Sequence, residues 1–174
     1  MISNMRFIPY PLQKKIEKDY PIQTGLNNPI LRKISTEVKI VDKDVVKFLK
    51  LLHNAQILYD GVWLAAPQIW QSIRVISIAQ LDSKWKNILF YEEMINPEII
   101  EYSDTTNIDS EGCLSLPWLE ADVERYDTIK VKYLNKKWEE KIMESEMMNA
   151  RIIQHEMDHL DGILYWDKKI ARDK

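Results

Sequence analysis

The sequence predicts an α+β fold in which antiparallel strands wrap around a central C-terminal helix. Two observations carry that reading. The stretch "NARIIQHEMDHLDGILYWD" and the residues just before it have helical spacing. At about 100° per residue, Met148, Ile152, His155 and His159 share one face while Ile153, Met157 and Leu160 lie roughly opposite. A helix apolar on both sides belongs inside the protein. Ahead of it stand four short runs, "IRVISIA", "ILFYEEMI", "EIIEY" and "TIKVKYL". They are rich in β-branched and aromatic residues and are separated by polar or proline-containing turns, the pattern of antiparallel strands that need a helix to cover them.

Each element has its own warrant. Residues 1–23 read as an irregular lead-in, because Pro9, Pro11 and Pro21 oppose regular structure. "DKDVVKFLKLLHNAQILYDG" sets Val45, Phe48, Leu49 and Leu52 at helical spacing, with Asp42 or Asp44 as N-cap and Gly61 just past the end. In "TIKVKYL", Ile129, Val131 and Tyr133 alternate with lysines, as in an edge-exposed strand. The C-terminal helix is expected to begin near Glu144 to Glu146, where acidic side chains suit the positive end of the dipole. Gly162 is its left-handed C-cap. No repeat, low-complexity tract or flexible linker divides the chain, so residues 1–174 are expected to form one domain with a short tail over 165–174.

Composition removes several function classes. A chain of 174 residues with 45% hydrophobic content can bury a proper core. A net charge of -3 gives no reason to expect duplex nucleic acid or an anionic membrane as the main partner. The N-terminal "MISNMRFIPYPLQKK" carries no long apolar region, and nowhere do about 18 apolar residues run together. A soluble, cytoplasmic protein is expected. The single cysteine, Cys113, permits no internal disulfide and suits a reducing compartment.

The chemistry starts at His155, Glu156 and His159. Histidines four apart on a helix can face one metal ion, with Glu156 beside them as acid/base. The third ligand is then sought by elimination. The metzincin pattern needs a histidine six residues after His159, a position held by Tyr165, although Gly162 stands where that pattern has its glycine. The thermolysin-like pattern needs a downstream glutamate, and none follows Glu156. Asp167 and Asp173 lie clear of the helix on a tail too short to scaffold either one. Upstream, two soft or imidazole candidates remain, His53 and Cys113. His53 sits inside the first amphipathic helix, where most histidines serve packing or local hydrogen bonds.

Cys113, in "DSEGCLSLPW", follows a glycine and precedes a run closed by Pro117. A lone cysteine is usually a small hydrophobe. A thiolate with two imidazoles, however, leaves a divalent ion with formal charge +1 and an open position for an acidified water, so Cys113 is favoured. Glu156 can take that water's proton and pass it to a leaving amine. The residues alone supply no donor for the oxyanion formed when a carbonyl is attacked.

Three segments, taken in order, resemble the signatures of peptide deformylases: "GVWLAAPQ" (Gly61 to Gln68), "EGCLSLP" (Glu111 to Pro117) and "QHEMDHLDG" (Gln154 to Gly162). "NPILRKIS", "IRVISI" and "MINPEII" also read like that family, and the resemblance covers roughly residues 24–170. It implies a hydrolase acting on a linear amide bond, which removes the formyl group from the N-terminal formyl-methionine of nascent polypeptides and releases formate. It implies that Cys113, His155 and His159 hold the metal and that Glu156 is the acid/base. It assigns the oxyanion to the Gln68 side chain and the Leu114 N–H. Ferrous iron is the metal expected in vivo, with zinc, nickel or cobalt able to take its place.

Gly61, Val62, Trp63 and Leu64 are expected to pair with the peptide as an added strand, and Met148 and Ile152 to line a slot for the methionine side chain. Glu111 and Asp158 can orient ligands or serve as ordinary ion pairs. Two positions depart from the family pattern. Trp63 stands where the first segment usually has its second glycine, and Glu120 lies in a stretch where many relatives are basic. The rival readings are a deformylase-like protein whose substrate range is altered or lost through Trp63, an HExxH zinc peptidase, and a structural metal module. The tail "DKKIARDK" offers cations to an acidic partner such as the ribosome, or is simply solvated.

Overall fold

Helical structure begins earlier than the prolines suggest. The computed structural model describes residues 10–82, 84 and 87–171, and in it α1 spans Tyr10–Asp19. This corrects the irregular lead-in expected over 1–23; Pro9 itself lies outside the described residues. Pro11 falls in the first turn of α1, where its missing N–H has no intrahelical partner to lose. Leu12 and Ile16, four apart, join the apolar cluster of Leu49 and Leu52. Those two leucines belong to α2 (Lys43–Leu58), whose N-cap is Asp42: its carboxylate accepts from the Asp44 and Val45 N–H groups.

The strands follow as β1 (Trp63–Ala65), β2 (Val75–Leu81), β3 (Ile88–Tyr102), β4 (Thr106–Glu111), β5 (Ala121–Tyr126), β6 (Thr128–Leu134) and β7 (Glu140–Glu146), and α3 (Met147–Leu160) comes after them. Five form one antiparallel sheet in the order β1-β2-β3-β6-β7, while β4 and β5 pair as a separate hairpin. The helix α3 lies against β1, β2, β5, β6 and β7. The α+β expectation of strands around a buried C-terminal helix therefore holds.

Several boundaries move. "ILFYEEMI" and "EIIEY" are one strand, β3, with the register shifting between Ile95 and Glu98, where Asn96 takes φ +50° and Pro97 follows. Proline at a bulge removes no ladder donor that a neighbour needs. The strand β6 is not an edge: it lies between β3 and β7, with Ile129, Val131 and Tyr133 buried against α3's cluster and its lysines on the other face. The helix α3 begins at Met147 with Glu146 as its N-cap, at the end of the expected Glu144 to Glu146 start, but β7 runs through those residues in register with β6 and no acidic side chain lies in the helix's first turn. The tail is less loose than expected, since Tyr165–Lys168 form a 3-10 turn with Tyr165 buried; Asp173 lies outside the described residues. Among the described residues, no helix is long and apolar enough to cross a membrane.

Candidate metal centre

The burial of α3 turns its polar face into a site. From Ala150 to Leu160 every residue is buried, so His155, Glu156 and His159 are held inside the protein. The helix can end where it does because Gly162 takes φ +72°, and a Cβ there would lie 2.5 Å from the Arg32 carbonyl oxygen. Cys113 arrives from the turn after β4. The candidate ligand atoms of Cys113, His155 and His159 all lie within 4.8 Å of one another, and Cys113 Sγ is 3.3 Å from His159 Nε2. His53, the other candidate, lies elsewhere, buried edge-on against Tyr91 with ring centroids 4.6 Å apart.

Glu111, the last residue of β4, binds His155 Nδ1 at 2.8 Å, which leaves Nε2 buried without a hydrogen bond, 3.8 Å from Glu156 Oε1. Glu156 is fully buried, and neither of its carboxylate oxygens accepts a hydrogen bond. An unpartnered buried carboxylate is costly unless a positive charge or a bound group satisfies it. The titration of the cluster points the same way. Burial pushes Glu156 up to about 7 against the pull of His159 and His155. Burial alone would raise the Cys113 thiol, yet His159 and His155 hold it well below the usual thiol range. Burial works against a charged His155, but Cys113 and Glu111 outweigh it and push the imidazole up to about 10. A thiolate beside two imidazoles is a donor set matched to a divalent cation.

Gln68 closes the site from the other side. It sits on a 3-10 turn, Ala66–Ile69, directly after β1. The Ala65 N–H donates to Gln68 Oε1 at 2.8 Å, so the amide nitrogen is the end that faces inward. That Nε2 donates to Cys113 Sγ at 3.3 Å and to Ser115 Oγ at 3.1 Å. Leu114 follows the cysteine, and its side chain approaches Gly61: a Cβ on Gly61 would stand 3.4 Å from Leu114 Cδ1.

A family model described as polypeptide deformylase matches residues 21–174. The chain belongs to that family. A peptide deformylase of Carboxydothermus hydrogenoformans is 39% identical over 143 residues, 82% of this chain and 89% of that one. A peptide deformylase 1 of Bacillus cereus is 40% identical over 141 residues, 81% of this chain and 86% of that one. The crystal structure of the Thermotoga maritima peptide deformylase superposes with a TM-score of 0.79 at 36% identity, covering 87% of this chain and 98% of that one.

Around this deformylase centre, the residues expected to meet substrate fall in different settings. β1 ends the sheet on one side, and Trp63 sits at its start with the indole 6.5 Å from the His155 ring. Trp63 and Met148 are half-buried against the same apolar cluster, whereas Ile152 lies wholly within it. A cavity of about 450 Å³ is lined by Gly112, Cys113, Leu116, Trp118, Leu119 and Glu120.

Sequence reasoning missed the cations behind the site. Glu111 binds the Arg125 guanidinium at 2.9 and 3.0 Å and Arg151 at 2.8 Å. Burial would raise its carboxyl, but the hydrogen bond to His155 and the Arg125 guanidinium hold it far below the usual range. The Asp158 carboxylate pairs with Arg125 and Lys168, each at 2.6 Å. The signal for Arg151 was present: an arginine one turn before His155, on a helix whose apolar residues on two sides mark it as buried, calls for a buried anion.

Proposed function

We infer that the chain removes the formyl group from the N-terminal formyl-methionine of nascent polypeptides, releasing formate. The observation that carries this is the convergence of Cys113, His155 and His159 on one spot beside a buried carboxylate with no hydrogen-bond partner. Cys113, His155 and His159 would hold a divalent ion, which would supply Lewis acidity at the reacting carbonyl and its attacking water. Glu156 takes the proton of the attacking water and delivers it to the departing amine of methionine. Its elevated proton affinity suits a group that must both accept and donate near neutral pH. Gln68 Nε2 and the Leu114 N–H meet the oxyanion that develops on the formyl oxygen. Ala65 keeps the Gln68 amide turned correctly before substrate arrives, the preorganisation that makes such donors effective.

The peptide lies along Gly61 to Leu64, which lead into β1, a strand with no further neighbour on its outer side among the described residues. Met148 and Ile152 border the methionine side chain, and the cavity reaching Cys113 receives the residues that follow. Iron is the working metal in the cell, with zinc, nickel or cobalt as substitutes, and the reducing cytoplasm suits a thiolate ligand. The tail's role as a ribosome contact loses two of its cations, because Lys168 is bound to Asp158 and Lys169 lies over Trp166 at 4.2 Å. One observation favours a narrower substrate range than the family norm: the indole of Trp63 stands beside His155, where a glycine would leave open space.

Product analysis tests the reading. Formyl-methionyl peptides should yield formate and the intact free peptide. Cleavage inside a blocked, unformylated peptide would instead make the protein an HExxH peptidase.

A further inference from the structure

The residue at the position where a metzincin would carry its third histidine is Tyr165, and it has a different relation to the metal trio. Its ring stacks on His155, with centroids 5.7 Å apart and planes 22° from parallel. It is 1% exposed. Its hydroxyl donates to the Leu119 carbonyl at 2.7 Å. Leu119 lies in the wall of the cavity that reaches Cys113, between Trp118 and Glu120. Trp118 is 99% exposed and takes φ +71°, a conformation a tryptophan keeps only when its neighbours hold the backbone. The Leu119 N–H adds one restraint by donating to the Leu116 carbonyl at 3.2 Å, and the tyrosine hydroxyl adds another.

His155 is thus fixed from two directions. Glu111 holds Nδ1 in the ring plane, and the flat face of Tyr165 limits tilting out of it. Tyr165 is itself held: the Leu164 N–H donates to Asp167 at 2.9 Å, and Asp167 is paired with Arg32.

We propose that Tyr165 is a positioning residue that sets two things at once, the ring plane of His155 and the Leu119 wall against which the peptide lies. Its two ends act on separable quantities. The stacked ring governs metal retention, and the hydroxyl governs peptide binding. The substrate part rests on the deformylase reading above, whereas the metal part does not.

The test uses Tyr165→Phe and Tyr165→Leu in zinc-loaded, full-length protein. Zinc transfer to a chromogenic chelator is read without substrate, and kcat and KM are read separately on a formyl-methionyl tripeptide. Tyr165→Phe keeps the ring and should hold zinc like the parent while KM rises several-fold. Tyr165→Leu removes the flat face and should lose about 10–100-fold in zinc affinity, the usual effect of removing a group that orients a ligand. If Tyr165→Leu does not fold, Tyr165→Met, which keeps more of the apolar volume without a flat face, is read for zinc retention in its place and by the same criteria. Unchanged KM in Tyr165→Phe overturns the substrate part. Parent-like zinc retention in a folded Tyr165→Leu, with only the melting temperature lowered, overturns the metal part and leaves Tyr165 as core packing.

Discussion

Replacing Glu111 by glutamine should destabilise the protein and loosen its metal together. The Glu111 side chain is 4% exposed and accepts four hydrogen bonds: two from Arg125, one from Arg151 and one at His155 Nδ1. An amide has the same shape but presents an NH2 group to donors that need an acceptor. Removing one partner of a buried ion pair costs about 3–5 kcal/mol. The lower end applies here, because Arg125 keeps Asp158 at 2.6 Å and Arg151 keeps the Val123 carbonyl at 2.8 Å. With a urea slope of about 2 kcal/mol/M, a loss of about 3 kcal/mol lowers the unfolding midpoint by about 1.5 M.

The loss also depends on pH. Against burial, His155 and Arg125 hold the folded carboxyl far below the unfolded value of about 4.3, so its stabilisation is complete above that value and fades as pH falls toward the folded one. The parent should therefore lose more stability than Glu111→Gln on acidification. Urea unfolding of both proteins in excess chelator, at pH 7 and at about pH 3, measures this directly. A midpoint within about 0.5 M of the parent at pH 7, or parallel pH profiles, would refute the assignment of Glu111 as the anion that holds this cluster together.

Other consequences can be measured on the same preparation. Gln68→Ala should lower kcat about 10²–10³-fold with little change in metal content, since an oxyanion donor is lost; a kcat within tenfold of the parent would put the oxyanion elsewhere. Trp63→Gly should raise kcat/KM on formyl-methionyl peptides about tenfold or more, while costing about 1–3 kcal/mol of stability, because the indole is only half-buried. An unchanged kcat/KM would remove Trp63 from any account of substrate range. The iron-loaded protein should lose activity in air faster than the nickel or zinc forms, because metal and thiolate both oxidise; equal lifetimes would argue against iron as the working metal.

The parts of this protein legible in its sequence are those set by local spacing. Residues His155 and His159 are one helical turn apart whatever surrounds them, and Asp42 caps α2 through its own backbone neighbours. Cys113 could be reached by elimination because so few soft ligands exist in the chain. What the sequence hid depends on pairing across distance. The alternation in "TIKVKYL" reports one buried face, but whether another strand lies beside it depends on β7, whose "EKIMESE" is too charged to look like a strand until β6 pairs with it. The Glu111, Arg125 and Arg151 cluster forms only when the β4–β5 hairpin is laid on α3, and no spacing along the chain announces that contact. Pro11 misled because a proline in the first turn of a helix and one in a loop look alike without the apolar partner that Ile16 finds on α2.

The most direct test is formate release from a short formyl-methionyl peptide, using protein purified without oxygen and with its metal content counted. The parent, carrying one metal per chain, should release formate, and Glu156→Ala with the same metal content should not. Release by Glu156→Ala at the parent's rate, or none from the fully metallated parent, would contradict the account.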